Sequence, residues 1–430
     1  MSEHISAYAD NLNTGSSGLL SERMLREAFL NRIRHLSEGA VRMHEAEAGA
    51  TLLGPDAEHE HCEPIDVHIH DPAFYQHACL GGAVGLGEAY MLGLWDSPDL
   101  VGLVRLFIRN LDQLDAMDSG LACLKKPALR FLDWRRRNHR DNSRLNIAAH
   151  YDLGNDFFRL FLDESMMYSS AIFRNSTDSL EEAQFNKLDM ICRKLDLQPG
   201  EHLVEIGTGW GAMAMHAARH YGVRVTTTTI SQEQYDLALT RILGAGLGEQ
   251  VTVLKADYRD LPTTLSGQCD KLVSIEMIEA VGHEYLPRYL SVVESLLKPD
   301  GRALIQAITC KDQRYARYRR TPDFIRRYIF PGGHLPSITE LMKAATTGSG
   351  LRLAHLEDFA EDYARTLEIW RQRFWHEAAA IRRLGYSETF MRMWDFYLAI
   401  CEAGFAERHI GVAHILFDSP ARRSGRVITG

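Results

Sequence analysis

No apolar run in this sequence approaches the length that crosses a bilayer, and residues 1–21 are polar, without the basic-then-apolar order of a secretory signal. A cytoplasmic protein is expected. Cysteine is sparse, with seven in 430 residues, an odd number, scattered and never spaced as Cys-x-x-Cys. That excludes a disulfide framework and leaves no legible zinc site. A basic surplus is lacking too, the formal net charge being −9. Any anionic partner must therefore meet a local patch. His59, His61, His68 and His70 do not read as metal ligands, since the first two lie in acidic, solvated sequence and Val67–His70 alternates as a half-buried strand does.

With 45% hydrophobic residues the chain is ordinary globular material, too long for one core, so two or three domains are expected. Residues 1–20 read as a flexible arm and 421–430 as a frayed tail. Between them, 21–120 form a small α+β module, with helices expected over Glu22–His35 and Val101–Leu114. Residues 121–148 form a linker in which Arg135, Arg136, Arg137, Arg140 and Arg144 gather beside Trp134, either a solvated helix or a patch for phosphate head groups. The remainder, 149–420, alternates strand and helix.

That domain is organised around Glu201–Gly211. Leu203–Ile206 is a short apolar strand, Gly207, Gly209 and Gly211 follow at alternate positions, and a helical pattern begins at Ala212. Further strands are expected at Val223–Ile230, Val251–Leu254, Lys271–Glu276, Arg302–Thr309 and Ile410–Phe417. Helices separate most of them: Leu180–Leu197, Ser231–Leu243 with Ser231 as N-cap, Leu286–Leu297, Tyr363–Ala380 and Ser387–Phe405. The alternation means a parallel sheet covered on both faces, whose ligand lies beyond the carboxyl ends of the strands. Gly207, Gly209, Thr229, Ser231, Gln234 and Asp257 fall at those ends. The insertion 311–343 interleaves basic and aromatic residues, among them Tyr315, Arg317, Arg319, Arg320, Phe324 and Tyr328, a mixture suited to single-stranded nucleic acid or to a membrane surface.

Gly-x-Gly-x-Gly is not the Gly-x-Gly-x-x-Gly of dinucleotide folds, and Glu205 to Gly211 resembles the first motif of class I methyltransferases, which bind S-adenosylmethionine (SAM). More broadly, His150–Asp156, Met166–Ala171, Glu205–Gly211, Thr229–Gln234, Asp257–Asp260, Glu276–Gly282, Tyr328–Ser337 and Tyr363 resemble the cyclopropane-fatty-acyl-phospholipid synthases and the mycolic acid cyclopropane synthases. Gly85–Asp96 is similar to the N-terminal lipid-binding domain of the phospholipid-acting members, so the likeness runs from about residue 65 to 418. The resemblance implies an α/β fold with a Rossmann-like class I sheet behind a small α+β lipid-binding domain. It implies methylene transfer from SAM to the double bond of unsaturated acyl chains in membrane phospholipids, by a homodimer at the inner face of the membrane. Cofactor contacts would come from Tyr168, Ser169, Glu205, Gly207, Gly209, Thr229, Ile230, Ser231, Gln234, Asp257 and Tyr258. No metal is expected.

An alkene is a weak nucleophile with no proton to remove beforehand, so catalysis must come from positioning, water exclusion and ring faces near the cation. Tyr168, Phe173, Tyr363 and Trp370 can supply such faces, core packing being the alternative for each. Proton removal afterwards is implied to fall to a bound bicarbonate, held around Ser170, Glu279, Gln306, Ile308 and Tyr363. Here Ser170, Gln306 and Ala280 stand where many relatives have Cys, His and His. Gln cannot shuttle a proton at neutral pH. A methyl- or methylene-branched product is therefore the alternative outcome, Glu279 is a candidate base with His283 and Glu284 nearby, and a non-catalytic SAM-binding lipid sensor is the alternative from another class. A nucleic-acid methyltransferase is disfavoured, because neither Asn/Asp-Pro-Pro-Tyr nor a Pro-Cys dipeptide occurs.

Overall fold

The computed structural model describes residues 22–55, 63–117, 153–321 and 323–423. The N-terminal arm, His59 and His61, the arginine-rich linker, His150–Asp152 and most of the tail lie outside these. The chain divides into two compact units. One takes the residues up to Met117 with Arg320–Ile329 and Trp370–His409, and the other takes Leu153–Arg319, Phe330–Ile369 and the chain from Ile410. Two segments that the sequence reading gives to the C-terminal domain thus cluster with the N-terminal unit.

In the N-terminal unit a four-stranded sheet has the order β2 (Gly49–Leu53), β1 (Val41–Glu45), β3 (Ile65–Ile69), β4 (Trp95–Asp96). Helix Glu22–Arg34 buries Leu25, Phe29, Leu30 and Ile33, while Met24, which the helical spacing also places on that stripe, is exposed. The helix expected over Val101–Leu114 is instead two, Leu100–Arg109 and Leu111–Met117. Asn110 interrupts it, because its side-chain oxygen accepts from the Ser37 N–H at 2.6 Å while its amide donates to the Leu106 carbonyl at 2.8 Å. Gly87 is required by packing, since a Cβ there would lie 2.4 Å from the Phe324 ring.

The second unit holds a seven-stranded sheet in the order β10 (Arg352–Asp358), β11 (Ile410–Asp418), β9 (Leu297–Cys310), β8 (Cys269–Ile275), β5 (His202–Ile206), β6 (Arg224–Thr229), β7 (Val251–Lys255). β7, β6, β5, β8 and β9 run parallel, while β11 is antiparallel to both of its neighbours, so the sheet is mixed at one end. All five residues of β5 are buried, as expected for a central parallel strand. The threonines of β6 are tolerated inside because each finds a partner: Thr226 bonds His202, Thr227 bonds Glu205, and Thr228 donates to the Ala256 carbonyl. Helix Leu180–Leu195 starts at a capping box formed by Ser179 and Glu182. Among the described residues no helix is long and apolar enough to cross a membrane.

Within the insertion two of the rings are buried, and Tyr318, Tyr328 and Phe330 are half-buried. Tyr315 is buried and donates to His334 Nε2 at 2.9 Å, and Phe324 is buried against Phe396 and Tyr328. Arg317, Arg319 and Arg320 are exposed.

Candidate active site

The strands β5, β6, β7 and β8 end on one edge of the large sheet. Past β5 the chain turns through Gly207, Gly209 and Gly211 at φ +100°, +51° and +88°, a backbone that disfavours any Cβ, and enters helix Ala212–Tyr221. A Cβ on Gly207 would sit 3.3 Å from Met277, whereas the space beside Gly209 is open. Past β6, the Thr229 hydroxyl donates to Gln234 Oε1 at 2.8 Å and accepts from the Ser231 N–H at 3.1 Å, while Ser231 caps helix Gln232–Gly244. Past β7, the Asp257 carboxylate accepts from the backbone and the guanidinium of Arg259, at 3.0 and 2.8 Å. An open glycine turn flanked by oriented polar groups fits a nucleoside-like ligand. Trp210 and Tyr168 both pack on Phe158, with centroids 5.2 Å away in each case.

Glu205 lies beneath this turn, 2% exposed, accepting from Thr227 Oγ1 at 2.6 Å. Burial pushes its carboxyl up to about 8.

The end of β8 is different in kind. Glu276, one residue past the strand, has φ +47° although it is not glycine. Its Oε1 accepts from the Ser170 N–H at 3.0 Å and from Gln306 Nε2 at 2.7 Å, and its Oε2 accepts from the Tyr363 hydroxyl at 2.7 Å. Gln306 is oriented in turn by His414, its directly opposite partner on β11, at 3.0 Å. Lys194 sits 3.0 Å from the other ring nitrogen and also pairs with Glu357. An ammonium can only donate, so His414 Nδ1 accepts, Nε2–H donates to Gln306 Oε1, and the Gln306 amide is left to donate to Glu276. Burial and Lys194 hold His414 well below the ordinary imidazole range, which keeps it neutral. Lys187, also fully buried, donates to Ser169 Oγ at 2.7 Å and places positive charge near Glu276, Asp163 and Glu205.

Glu279 forms a second buried carboxyl. Its Oε1 accepts from the Ile308 N–H at 2.6 Å, and its Oε2 is buried with no hydrogen-bond partner. Burial, reinforced by the Glu276 charge, pushes it up to about 8.

Residues 138–415 match the family model described as mycolic acid cyclopropane synthetase. The chain belongs to that family. Among similar proteins are the tuberculostearic acid methyltransferase UfaA1 of Mycobacterium tuberculosis, 39% identical over 338 residues that cover 77% of this chain and 78% of that one. The cyclopropane-fatty-acyl-phospholipid synthase of Escherichia coli K12 is 36% identical over 369 residues, 85% of this chain and 90% of that one. Two solved cyclopropane synthases share the fold, each with a TM-score of 0.59 and covering 64% of this chain and 98% of theirs. They are MmaA2 of M. tuberculosis at 31% identity and CmaA1, complexed with SAH and CTAB, at 32%. The fold is thus that of SAM-dependent methyltransferases of the cyclopropane synthase type.

Within this cyclopropane synthetase family member, the predicted catalytic residues divide between the two carboxyls. Ser170, Gln306 and Tyr363 meet on Glu276, while Ile308 meets Glu279. Ser170 contributes its backbone N–H, since its hydroxyl donates to the Ala171 carbonyl at 3.0 Å. Two further candidates have other partners. The Phe173 ring is already covered by the Arg365 guanidinium, 3.9 Å from its centroid. His283 bonds Tyr315 at 2.6 Å and Arg319. Glu276, Lys187, Lys194 and His414 escape sequence reasoning as site residues. A signal existed for the lysines, which fall on the stripe of Leu180, Ala183, Leu188 and Ile191 that the helix buries.

Proposed function

We propose that this protein transfers the methyl carbon of SAM to the double bond of an unsaturated acyl chain in a membrane phospholipid and closes a cyclopropane ring. The observation that carries this is a carboxylate held by three donors, on the same sheet edge as an open glycine turn. The 36% identity to an E. coli enzyme named for this reaction, over most of both chains, supports it.

SAM supplies an electrophilic methyl carbon. Gly207 and Gly209 let it approach the backbone, and Thr229, Ile230, Ser231, Gln234, Asp257 and Tyr258 flank it at the ends of β6 and β7. Tyr168, Ser169 and Glu205 complete that half. The chain's own contribution is then to exclude water and to take a proton from the acyl chain after the new bond forms. A methylene- or methyl-branched product is a second reading, favoured by the 39% identity to a methyltransferase named for tuberculostearic acid. We place the enzyme as a peripheral protein on the inner face of the membrane, as a homodimer, with the exposed Arg317, Arg319 and Arg320 suited to lipid phosphates.

The test incubates purified protein with trideuteromethyl SAM and vesicles of mono-unsaturated phospholipid, reading S-adenosylhomocysteine release and acyl mass. A gain of one carbon retaining two deuterons is expected. Mild hydrogenation leaves a ring unchanged and adds two hydrogens to a methylene. Neither release nor mass gain on any unsaturated phospholipid would sink the proposal.

A further inference from the structure

We infer that Glu276 is the catalytic base of this reaction, a built-in carboxylate standing where the family resemblance implies a bound bicarbonate. The inference rests on the function proposed above and names the group that takes the proton.

Three of the groups expected to hold an oxyanion, the Ser170 N–H, Gln306 Nε2 and the Tyr363 hydroxyl, all end on the Glu276 carboxylate. They converge on an anion that the chain itself provides. A bicarbonate seeking the same donors would meet a carboxylate already in place, and two like charges do not share a buried site. The donors do not fit the free anion.

The backbone at Glu276 supports the same reading. Its φ of +47° belongs to glycine, and a non-glycine residue there is strained by roughly 1–2 kcal/mol. Such strain persists where the side chain is needed. The position is also right for chemistry, because the next residue, Met277, packs 3.3 Å from where a Gly207 Cβ would be. Glu276 therefore stands beside the glycine turn expected to receive the methyl donor.

Glu279 is the competing carboxyl. It has one donor on one oxygen and none on the other, so of two neighbouring acids it is the one that keeps its proton. Burial raises Glu276 as well, but its three donors and nearby Lys187 oppose that rise, so it is the acid of the pair that gives up its proton first.

In the reaction the alkene π pair bonds to the methyl carbon as the carbon–sulfur bond breaks. S-adenosylhomocysteine leaves, and the positive charge rests on the other alkene carbon. Glu276 accepts a proton from the new methyl group, and the C–H electron pair closes the three-membered ring. If a hydride first moves from the methylated carbon to the cationic one, loss of a methyl proton to Glu276 instead gives a methylene branch on the open chain. Either way Glu276 ends as a carboxylic acid and returns its proton to water once the lipid has left.

The experiment assays the full chain in carbonate-free buffer under nitrogen, with and without added bicarbonate, alongside Glu276→Gln and Glu276→Gly. Wild-type product formation should not respond to bicarbonate. Both variants should lose at least about 100-fold of it, the low end for a lost general base. Glycine fits the backbone and leaves a donor-lined space, so formate or bicarbonate should restore Glu276→Gly but not Glu276→Gln, whose amide fills that space. Wild-type dependence on bicarbonate overturns the inference, as does wild-type rate in Glu276→Gln. If circular dichroism shows either variant unfolded, the wild-type bicarbonate response decides alone. An inactive wild type would instead defeat the proposed function, whereas product formed regardless of Glu276 defeats only its role.

Discussion

The two halves of the sheet edge are built by opposite rules. On the β5–β6–β7 half, polar groups find partners close in sequence: Thr229 with Gln234, Ser231 with the Gln234 N–H, Asp257 with Arg259. On the β8–β9–β11 half, Glu276 gathers Ser170, Gln306 and Tyr363, and Gln306 leads on to His414 and Lys194. The first half is mostly turns and caps, with Glu205 and Thr227 joining neighbouring strands beneath them. The second exists only once distant segments meet, and it concentrates burial, strain and titratable groups. Under the proposed function, binding and proton transfer are thereby separated within a few strands.

Breaking the glycine half should have the largest effect. Gly207→Val places a branched side chain at φ +100° and against Met277, so SAH binding and product formation should both vanish in calorimetry and turnover assays. A variant that binds SAH normally would show that the turn is not the ligand site.

Next comes the charge beneath the second half. Lys187→Met leaves Glu276 and Asp163 without their shared buried cation, and a loss of about 3–5 kcal/mol is expected from urea unfolding. An unchanged midpoint would mean that these acids do not depend on Lys187.

Glu205 tests the same charges through pH. Burial raises its folded value to about 8 from the ordinary 4.5, so the native state holds a proton that the unfolded chain has released. Its contribution opposes folding, absent below about 4.5, growing as pH rises toward 8 and constant above. Glu205→Gln should therefore flatten the fall in stability across that window, by up to about 5 kcal/mol at its upper end. A wild-type-like profile would contradict the assignment.

The smallest change is Tyr363→Phe, which removes one donor from Glu276. Turnover should fall about tenfold, in keeping with one hydrogen bond to a charged group, with SAH affinity retained. Loss of affinity instead would place Tyr363 in the binding half.

Much of the first half was legible from the sequence. Leu203–Ile206 reads as a strand and is one, Ser231 reads as an N-cap and caps, and the glycines turn where expected. These features are local, so local pattern suffices. β10 was not foreseen, because its residues RLAHLED are largely polar and it lies at the sheet edge. The break at Asn110 depends on Ser37, far away in sequence. Glu276 was visible only as the end of a strand and the start of a family-like stretch, since nothing in its neighbours announces that Ser170, Gln306 and Tyr363 converge on it. His414 becomes significant only through the cross-strand register that places it opposite Gln306.

The most direct test of this division measures SAH affinity and product formation side by side for Glu276→Gln. The account predicts wild-type affinity by calorimetry with product lost, since the carboxylate acts after the ligand is bound. Affinity lost in proportion to product would contradict it, showing that the two halves of the edge form one binding site.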